Sequence, residues 1–247
     1  MTHPLELGVN IDHIATLRQA RGTPYPNLLE AMRIVEDAGA HAITIHLRED
    51  RRHIQDKDVY DIRKLCKTRL NLEIAATEEM VRIASEVVPE DVCIVPEKRE
   101  EITTEGGLDV IHHFARIQDC TQRLLEGGMR VSLFIEPDLE HIRRVPDIGA
   151  PVIELHTGTY ANAKGDAQLR ELERIQKAAE LAHSLGIKVN AGHGLDYENT
   201  VAIAQIPEMR ELNIGHAMVA RAIFVGIRQA TVEMLALMQS ARARMSQ

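Results

Sequence analysis

The chain has 247 residues, 45% of them hydrophobic and 27% charged, a composition that permits a well-buried core and makes disorder unexpected. Its 29 basic and 37 acidic residues give a net charge of −8, and it has no tryptophan, so we expect neither a nucleic-acid backbone nor stacked bases as partners. No apolar stretch approaches the roughly 20 residues of a membrane helix, so no membrane partner is expected either.

Eight short apolar runs rich in β-branched residues recur along the chain and predict β-strands. In chain order they cover 5–11, 42–47, 70–75, 91–96, 131–136, 151–156, 188–192 and 211–215. Between them lie stretches with apolar residues three and four apart, such as LLEAMRIVEDAG and LERIQKAAELAHSLG, which predict amphipathic helices. A further helix is predicted over AIFVGIRQATVEMLALMQSAR (222–242), after the last strand.

Glycines punctuate this pattern where helices should end. They stand two to four residues before a predicted strand, as expected of left-handed helix-stop residues, at Gly39, Gly128, Gly149 and Gly186. Strand–helix alternation with largely apolar strands predicts a parallel sheet covered by helices. Eight such units in a chain of this length favour a closed (β/α)8 TIM barrel, of the α/β class, over an open sheet.

The absence of linkers, the cysteines and the N-terminal sequence indicate the domain organisation and the location. No linker or shift in composition divides it, so we expect residues 1–247 to form a single domain. The three cysteines, Cys66, Cys93 and Cys120, are odd in number and in no Cys-x-x-Cys pattern. They are typical of reduced, core-filling thiols in a cytosolic protein, and the N-terminus has no signal-peptide pattern, so a cytoplasmic location is expected.

The histidines are concentrated where a barrel places its active site, at the carboxyl-terminal ends of the strands. Five of the twelve fall at predicted strand ends: His13, His46, His156, His193 and His216. Since five rings on separate strands must point into one space or its rim, we expect most of them to serve an active site. Any single one could instead be a packed core residue, and His156 is the one most readily assigned to structure.

Two glutamates, Glu73 and Glu154, lie inside apolar strands. Burial penalises the charged form of a carboxyl group, so such positions need a physical reason. Two interpretations stay open. Each glutamate could form a structural pair with an arginine or histidine, or act as a general acid or base whose pKa has moved toward neutrality.

Several turns suit anionic ligands. The small-residue turns AGHG (191–194) and NIGHA (213–217) follow strands seven and eight, where many barrels hold a phosphate on backbone N–H groups. The segment HLREDRRH (46–53) offers a second anion site, although Arg51 and Arg52 fit a solvated loop equally well. The segment KREEITTEGG (98–107) is a candidate lid or an ordinary surface loop.

Sequence patterns that other barrel enzymes use for catalysis are absent, which disfavours two classes of reaction. No lysine stands at an inward-facing strand end, which disfavours a Schiff-base enzyme, and no His-x-His or His-Glu-x-x-His supports a zinc hydrolase. Acid/base catalysis on a phosphorylated carbonyl compound is therefore favoured. A sugar-phosphate epimerase or isomerase, or a non-catalytic phosphate sensor on the same barrel, remains an alternative.

Seven segments in unbroken order resemble the pyridoxine 5′-phosphate synthase family. The resemblance runs from about Leu7 into the last helix and is carried by VNIDHIATLRQARGT (9–23), ITIHLREDRRHI (43–54), NLEIAATEEM (71–80), VPEKREEITTEGGLD (95–109), IELHTGTYA (153–161), VNAGHGLDYEN (189–199) and ELNIGHA (211–217). It implies a barrel with a few extra helices, assembled as a homo-octamer. It also implies condensation of 1-deoxy-D-xylulose 5-phosphate with 3-amino-2-oxopropyl phosphate, with no metal and no organic cofactor.

The resemblance also assigns roles by position. It implies that His46 and Glu73 are acid/base groups, that His193 is a proton donor and that Glu154 stabilises the transition state. The site for the amino-ketone phosphate would comprise Asn10, Arg21, Gly194, Gly215 and His216. The site for the deoxyxylulose phosphate would comprise Asp12, His13, Arg48, His53 and Thr103. Strand-end reasoning alone indicates neither Arg21 nor Thr103, and gives no preference for His193 over His216 as the acid.

Overall fold

Eight parallel strands close into a barrel in chain order in the computed structural model, which describes residues 4–98, 101–103 and 106–244. The strands are β1 (Glu6–Asn10), β2 (Ala42–His46), β3 (Arg69–Ile74), β4 (Asp91–Ile94), β5 (Arg130–Ile135), β6 (Val152–His156), β7 (Lys188–Gly192) and β8 (Met209–Ile214). Every predicted strand is present with its ends within two residues. The predicted (β/α)8 barrel is confirmed.

The described residues also form eleven helices. They are α1 (Asp12–Arg21), α2 (Leu28–Asp37), α3 (Asp56–Leu65), α4 (Glu78–Val87), α5 (Phe114–Glu126), α6 (Leu139–Ile148), α7 (Gly158–Asn162), α8 (Asp166–Ser184), α9 (Thr200–Ala204), α10 (His216–Val225) and α11 (Ile227–Ala243). Side chains satisfy some of the free amides at the helix starts. Asn27 accepts from two backbone N–H groups of α2, and Asp138 does the same for α6.

Glycine conformations explain where the helices stop. All four predicted helix-stop glycines have positive φ, between 78° and 103°, as a left-handed residue requires. The expectation of one helix over 222–242 was wrong, because Gly226 takes φ 82° and ψ 150° and separates α10 from α11. Apolar periodicity continues across this break, so the pattern alone does not show it.

The apolar core lies between the barrel and its helices. Alternate strand residues such as Leu7, Val9, Ile43 and Ile45 are fully buried, and helix residues such as Met32 belong to the same cluster. Burying a side chain of this size stabilises the fold by about 1.5–3 kcal/mol before the entropy cost is counted. The other face of each strand points into the barrel, where many side chains are polar.

The barrel interior is polar. The Thr44 hydroxyl donates a hydrogen bond of 2.8 Å to Asn213 Oδ1, and Asn213 Nδ2 donates one of 2.7 Å to Glu154 Oε2. These residues stand on strands that are not neighbours, so their side chains meet across the intervening strand, where Gly8 or Gly192 leaves room. A Cβ atom at Gly192 would lie 2.3 Å from Glu154 Oε1, so a side chain there would displace the Glu154 carboxyl group.

An ion network closes the amino-terminal end of the barrel. Arg69, at the start of β3, pairs with Asp91 at 2.9 Å, with Glu211 at 2.7 Å and with Glu6. Arg130 holds the other oxygen of Asp91 at 2.6 Å. Burial raises the pKa of Glu211 above its ordinary value, and Arg69 offsets part of that rise. Acidic side chains at this end of the barrel therefore have arginine partners.

Within the described residues, each helix is too short or too polar to cross a membrane.

Candidate functional site

The predicted site residues gather at the carboxyl-terminal ends of the strands, here called the barrel mouth. His46 and His156 end β2 and β6, His193 follows β7, and His216 begins α10 after β8. Because all eight strands run in parallel, their carboxyl ends meet at one end of the barrel.

Asp12 connects β1 to β2 at the mouth. Its carboxylate accepts hydrogen bonds from Asn10 Nδ2 at 2.8 Å and from the backbone N–H of His46 at 2.9 Å. Burial raises the pKa of Asp12 to about 6, although the contacts with His46 and Asn10 lower it again in part. Asp12 therefore fixes the end of β2, and with it the position of the His46 side chain.

His46 lies between two carboxyl groups. Its Nε2 atom is 2.9 Å from Glu97 Oε1, and its Nδ1 atom is 3.8 Å from Glu73 Oε2. The first distance is a hydrogen bond, whereas the second leaves Nδ1 uncommitted. The structure thus brings the two predicted acid/base residues, His46 and Glu73, side by side.

Glu73 and Glu154 form a carboxyl pair that favours the protonated state. Burial raises the pKa of Glu73 well above its ordinary value, and the charges of Glu154 and Asp12 raise it further. Burial likewise raises the pKa of Glu154 to about 8, with an opposing contribution from its hydrogen bond with Asn213. A carboxylic acid at the mouth consequently keeps its proton near neutral pH and can donate it.

This pKa gives a direct spectroscopic prediction. Since Glu154 titrates near pH 8 when folded, the infrared carbonyl band of a buried COOH group should be present at pH 7 and should fade as the pH rises through about 8. Glu154→Gln should remove that component of the band. A pH-independent band, or one unchanged in the variant, would contradict the assignment, and the exposed Glu126→Gln variant is the control.

Three further histidines surround this group. The rings of His13 and His216 are in edge-on contact at 4.9 Å between centroids, and the ring of His53 is 6.2 Å from that of His46. Burial lowers the pKa of His53 to about 4, and the charges of His46, Arg48 and His13 lower it further. His53 is therefore neutral at physiological pH and suited to hydrogen bonding with an uncharged substrate group.

His193, just after β7, and His156, at the end of β6, are neighbours, with their ring centroids 4.9 Å apart. Gly158 packs closely against these rings, since a Cβ atom there would lie 2.5 Å from His156 Nε2. Burial, and then the charge of His156, lowers the pKa of His193. His156 itself is bound through Nδ1 to the buried Glu136 at 2.6 Å. This agrees with the structural interpretation preferred for His156.

The turns after β7 and β8 have the geometry of close backbone approach. Gly194 takes φ 81°, and a Cβ there would lie 2.7 Å from the Ala161 side chain. Gly215 lies against Asn10, because a Cβ atom at position 215 would be only 2.9 Å from the Cβ atom of Asn10. The helix α10 starts at the next residue. The α10 helix therefore starts beside Asn10, and the N–H groups of its first two residues have no partner within the helix, an arrangement suited to a phosphate.

Three further arginines were considered as anion ligands, Arg21, Arg51 and Arg52, and their positions differ from that of Arg48. Arg21 is exposed at the far end of α1, nine residues or about 13 Å further along the helix than Asp12. Arg51 pairs with Asp56 and Glu79, and Arg52 is exposed and pairs with Asp50, as the solvated-loop interpretation expects. Arg48 stays at the mouth, 3.9 Å from Glu97.

The candidate lid is only partly described. Its residues Arg99, Glu100, Thr104 and Glu105 lie outside the described residues. The described contacts of Thr103 are with its own loop, where its N–H donates to the Gly107 carbonyl at 2.8 Å. Gly107 in turn donates to Glu136 at 3.0 Å, so this part of the loop is attached to the end of β5.

Two buried carboxylates at the mouth, Glu97 and Glu136, were not predicted from the sequence. Glu136 directly follows β5, and Glu97 stands three residues after β4. The same strand-end rule that selected the histidines could have found both. Glu97 directly precedes the segment KREEITTEGG (98–107), and it was not considered as a candidate site residue. Among residues 4–98, 101–103 and 106–244, no group of three or more His, Cys, Asp or Glu side chains is arranged to hold a metal ion.

Comparisons with known proteins agree with this geometry. The profile of a family described as pyridoxal phosphate biosynthesis protein PdxJ matches residues 7–240. The chain is 62% identical over 239 residues to a pyridoxine 5′-phosphate synthase of Thioalkalivibrio sulfidiphilus (strain HL-EbGR7), covering 96% of this chain and 97% of that protein.

Solved structures resemble the chain in fold. A phosphoribosyl anthranilate isomerase from Thermus thermophilus has a TM-score of 0.60 at 14% identity, covering 96% of this chain and 100% of that one. A 4-hydroxy-2-oxoglutarate aldolase has a TM-score of 0.62 at 12% identity, covering 94% and 93%. At such identities the likeness concerns the barrel alone.

Proposed function

The chain belongs to the pyridoxal phosphate biosynthesis protein PdxJ family, and from this membership we infer that it is an enzyme of vitamin B6 biosynthesis. It catalyses the pyridoxine 5′-phosphate synthase reaction. In that reaction 1-deoxy-D-xylulose 5-phosphate and 3-amino-2-oxopropyl phosphate condense to pyridoxine 5′-phosphate, with release of phosphate and water.

The observation that carries this proposal is the placement of a largely buried carboxyl group, that of Glu73, beside an imidazole nitrogen of His46 that makes no hydrogen bond to a described residue, with Glu154 buried in the same barrel. Glu73 and Glu154 have raised pKa values, and His46 Nδ1 faces Glu73 at 3.8 Å. Ring formation by this route needs repeated proton transfers. The amine attacks a ketone, the adduct loses water to give an imine, phosphate is eliminated, water adds, a carbon–carbon bond closes the ring, and the closed ring loses water to become aromatic. Adjacent acid and base groups can serve each of these steps in turn.

Two anion sites suit the two phosphorylated substrates. One is formed by the turn at Gly215 and the first turn of α10, beside Asn10. The other comprises Arg48, His53 and His13 beside His46, and the His13 ring also contacts that of His216 at the start of α10. We assign the amino-ketone phosphate to the first site and the deoxyxylulose phosphate to the second. Binding both substrates by their phosphate groups would hold the reacting atoms close together, so that the bimolecular reaction proceeds as an effectively intramolecular one.

The proposal is tested by incubating the purified protein with both substrates and measuring pyridoxine 5′-phosphate and inorganic phosphate. Equal amounts of the two products are expected. Interconversion of either sugar phosphate without ring formation would instead indicate an epimerase or isomerase. Binding of both compounds without phosphate release would indicate a sensor.

We further propose that the protein works in the cytoplasm as a homo-oligomer, an octamer by family resemblance. Ile223 and Phe224 of α10 support this, since their side chains are 71% and 83% exposed and a second copy could cover them.

Phe224→Ser should therefore shift the protein to smaller species in sedimentation velocity. Leu169→Ser on α8 is the control, a single exposed apolar side chain on another helix. A wild-type protein that sediments as a monomer would overturn the proposal.

A further inference from the structure

Glu97 forms a hydrogen bond with the His46 ring at the barrel mouth, yet it has no role in the proposed chemistry. Its side chain is only 4% exposed, and its Oε1 atom lies 2.9 Å from His46 Nε2. Its Oε2 atom accepts a hydrogen bond of 3.0 Å from the backbone N–H of Glu49. Both carboxyl oxygens are thus committed to the segment that ends β2.

The ionisation state of Glu97 decides the direction of its hydrogen bond with His46. Burial alone would raise the pKa of Glu97, but the contacts with His46, the Glu49 N–H and Arg48 outweigh it and lower the pKa overall. An ionised carboxylate can only accept hydrogen bonds. The hydrogen in the 2.9 Å contact therefore belongs to Nε2 of His46.

A neutral imidazole carries one N–H, so protonation at Nε2 leaves the lone pair on Nδ1. We propose that Glu97 is a positioning residue that holds His46 in the Nε2–H tautomer, so that Nδ1 is the basic atom presented to the substrate. This inference rests on the proposed function for its kinetic consequence, but the tautomer itself is a property of the free protein.

The surroundings of His46 agree with this assignment. Its backbone N–H is bound by Asp12, its Nδ1 side faces Glu73, and the His53 ring stands 6.2 Å away. When Nδ1 accepts a substrate proton, the ring becomes an imidazolium with N–H groups on both sides. The Glu97 carboxylate then faces that new positive charge and stabilises it, as an orienting carboxylate does for a catalytic histidine.

The tautomer can be observed directly by solid-state NMR of protein labelled with ¹⁵N-histidine, with His46 identified by comparison with His46→Asn. At a pH where the ring is neutral, the wild type should show a protonated Nε2 and an unprotonated Nδ1. In Glu97→Gln the amide can donate or accept, so both neutral tautomers should be populated. Glu49→Gln, which removes a nearby charge without touching His46, should retain the single tautomer.

Kinetics provide the second measurement. Glu97→Gln should lower kcat by at least about tenfold, and by no more than the roughly 10²–10⁴-fold that a general base contributes, with little change in KM. Glu97→Asp keeps the charge and should recover part of kcat.

Three results would overturn the inference: a wild-type Nδ1–H tautomer, a single Nε2–H tautomer that persists in Glu97→Gln, or full turnover in that variant. Should Glu97→Gln fail to fold, the wild-type spectrum still decides the tautomer. A wild-type protein that shows the expected tautomer but makes no product would contradict the proposed function and leave the tautomer assignment intact.

Discussion

Replacing Glu73 by glutamine is expected to lower kcat by about 10²–10⁴-fold, the contribution of a positioned general acid or base. Glutamine has nearly the same shape, but it can neither release nor take up a proton. Burial and the nearby charges raise the pKa of Glu73 well above its ordinary value and so favour the protonated form of the native side chain. Glutamine imitates that form, so KM should change little.

The loss of turnover in Glu73→Gln should not be accompanied by unfolding. Glu73→Gln removes a group that resists ionisation inside the barrel, so its melting temperature should equal or exceed that of the wild type. Steady-state rates of product formation and a thermal melt check both statements, with the exposed Glu126→Gln variant as control. Turnover within about twofold of wild type would show that Glu73 does not transfer protons in the rate-determining part of the reaction.

Replacing Arg69 by methionine should produce the largest loss of stability. The change removes the ion-pair partner of Glu211, whose side chain is 4% exposed, and leaves it only the more distant charge of Arg130, while Asp91 keeps its own pair with Arg130. Removing one partner of a buried ion pair costs about 3–5 kcal/mol, and the lower figure applies here because Arg69 is 25% exposed. In a chain of this size that loss corresponds to a fall of about 10 °C in melting temperature.

The deficit of this variant should depend on pH. The folded-state pKa of Glu211 is already raised by burial, and loss of Arg69 raises it further, so the folded state binds a proton that the unfolded state releases. Stability relative to wild type therefore recovers as the pH falls through the raised pKa.

Urea denaturation at about pH 8 and about pH 5 measures this, since the two chains should differ less at the lower pH. Arg82→Met, which breaks an exposed pair with Glu86, is the control and should change little at either pH. A constant deficit would mean that Glu211 is not the group left unpaired.

Much of the fold could be predicted because barrel strands have strong periodic signals. All eight strands, the four helix-stop glycines and the barrel closure follow from apolar runs and spacing. The histidines at strand ends could be placed for the same reason, since parallel topology sends every strand end to one side.

Other features depend on three-dimensional contacts that no local pattern encodes. Gly226 divides α10 from α11 through a dihedral angle, while the apolar pattern runs on across it. Glu97 reaches His46 from a segment 51 residues away, so its place after β4 could suggest the barrel mouth, but only the folded chain shows which side chain it contacts. The exposed position of Arg21 at the far end of α1 likewise has no signature in its own segment.

The polar interior of the barrel has a consequence for how such a protein changes over time. Each strand gives one set of alternate residues, such as Leu7 and Val9, to the layer under the helices, and the other set, such as Asn213 and Glu154, to the interior. The first set packs the helices against the barrel, and at the carboxyl-terminal end the second set supplies the groups proposed for the chemistry. A new activity could therefore arise by exchanging inward-facing residues while the layer that maintains the scaffold stays the same.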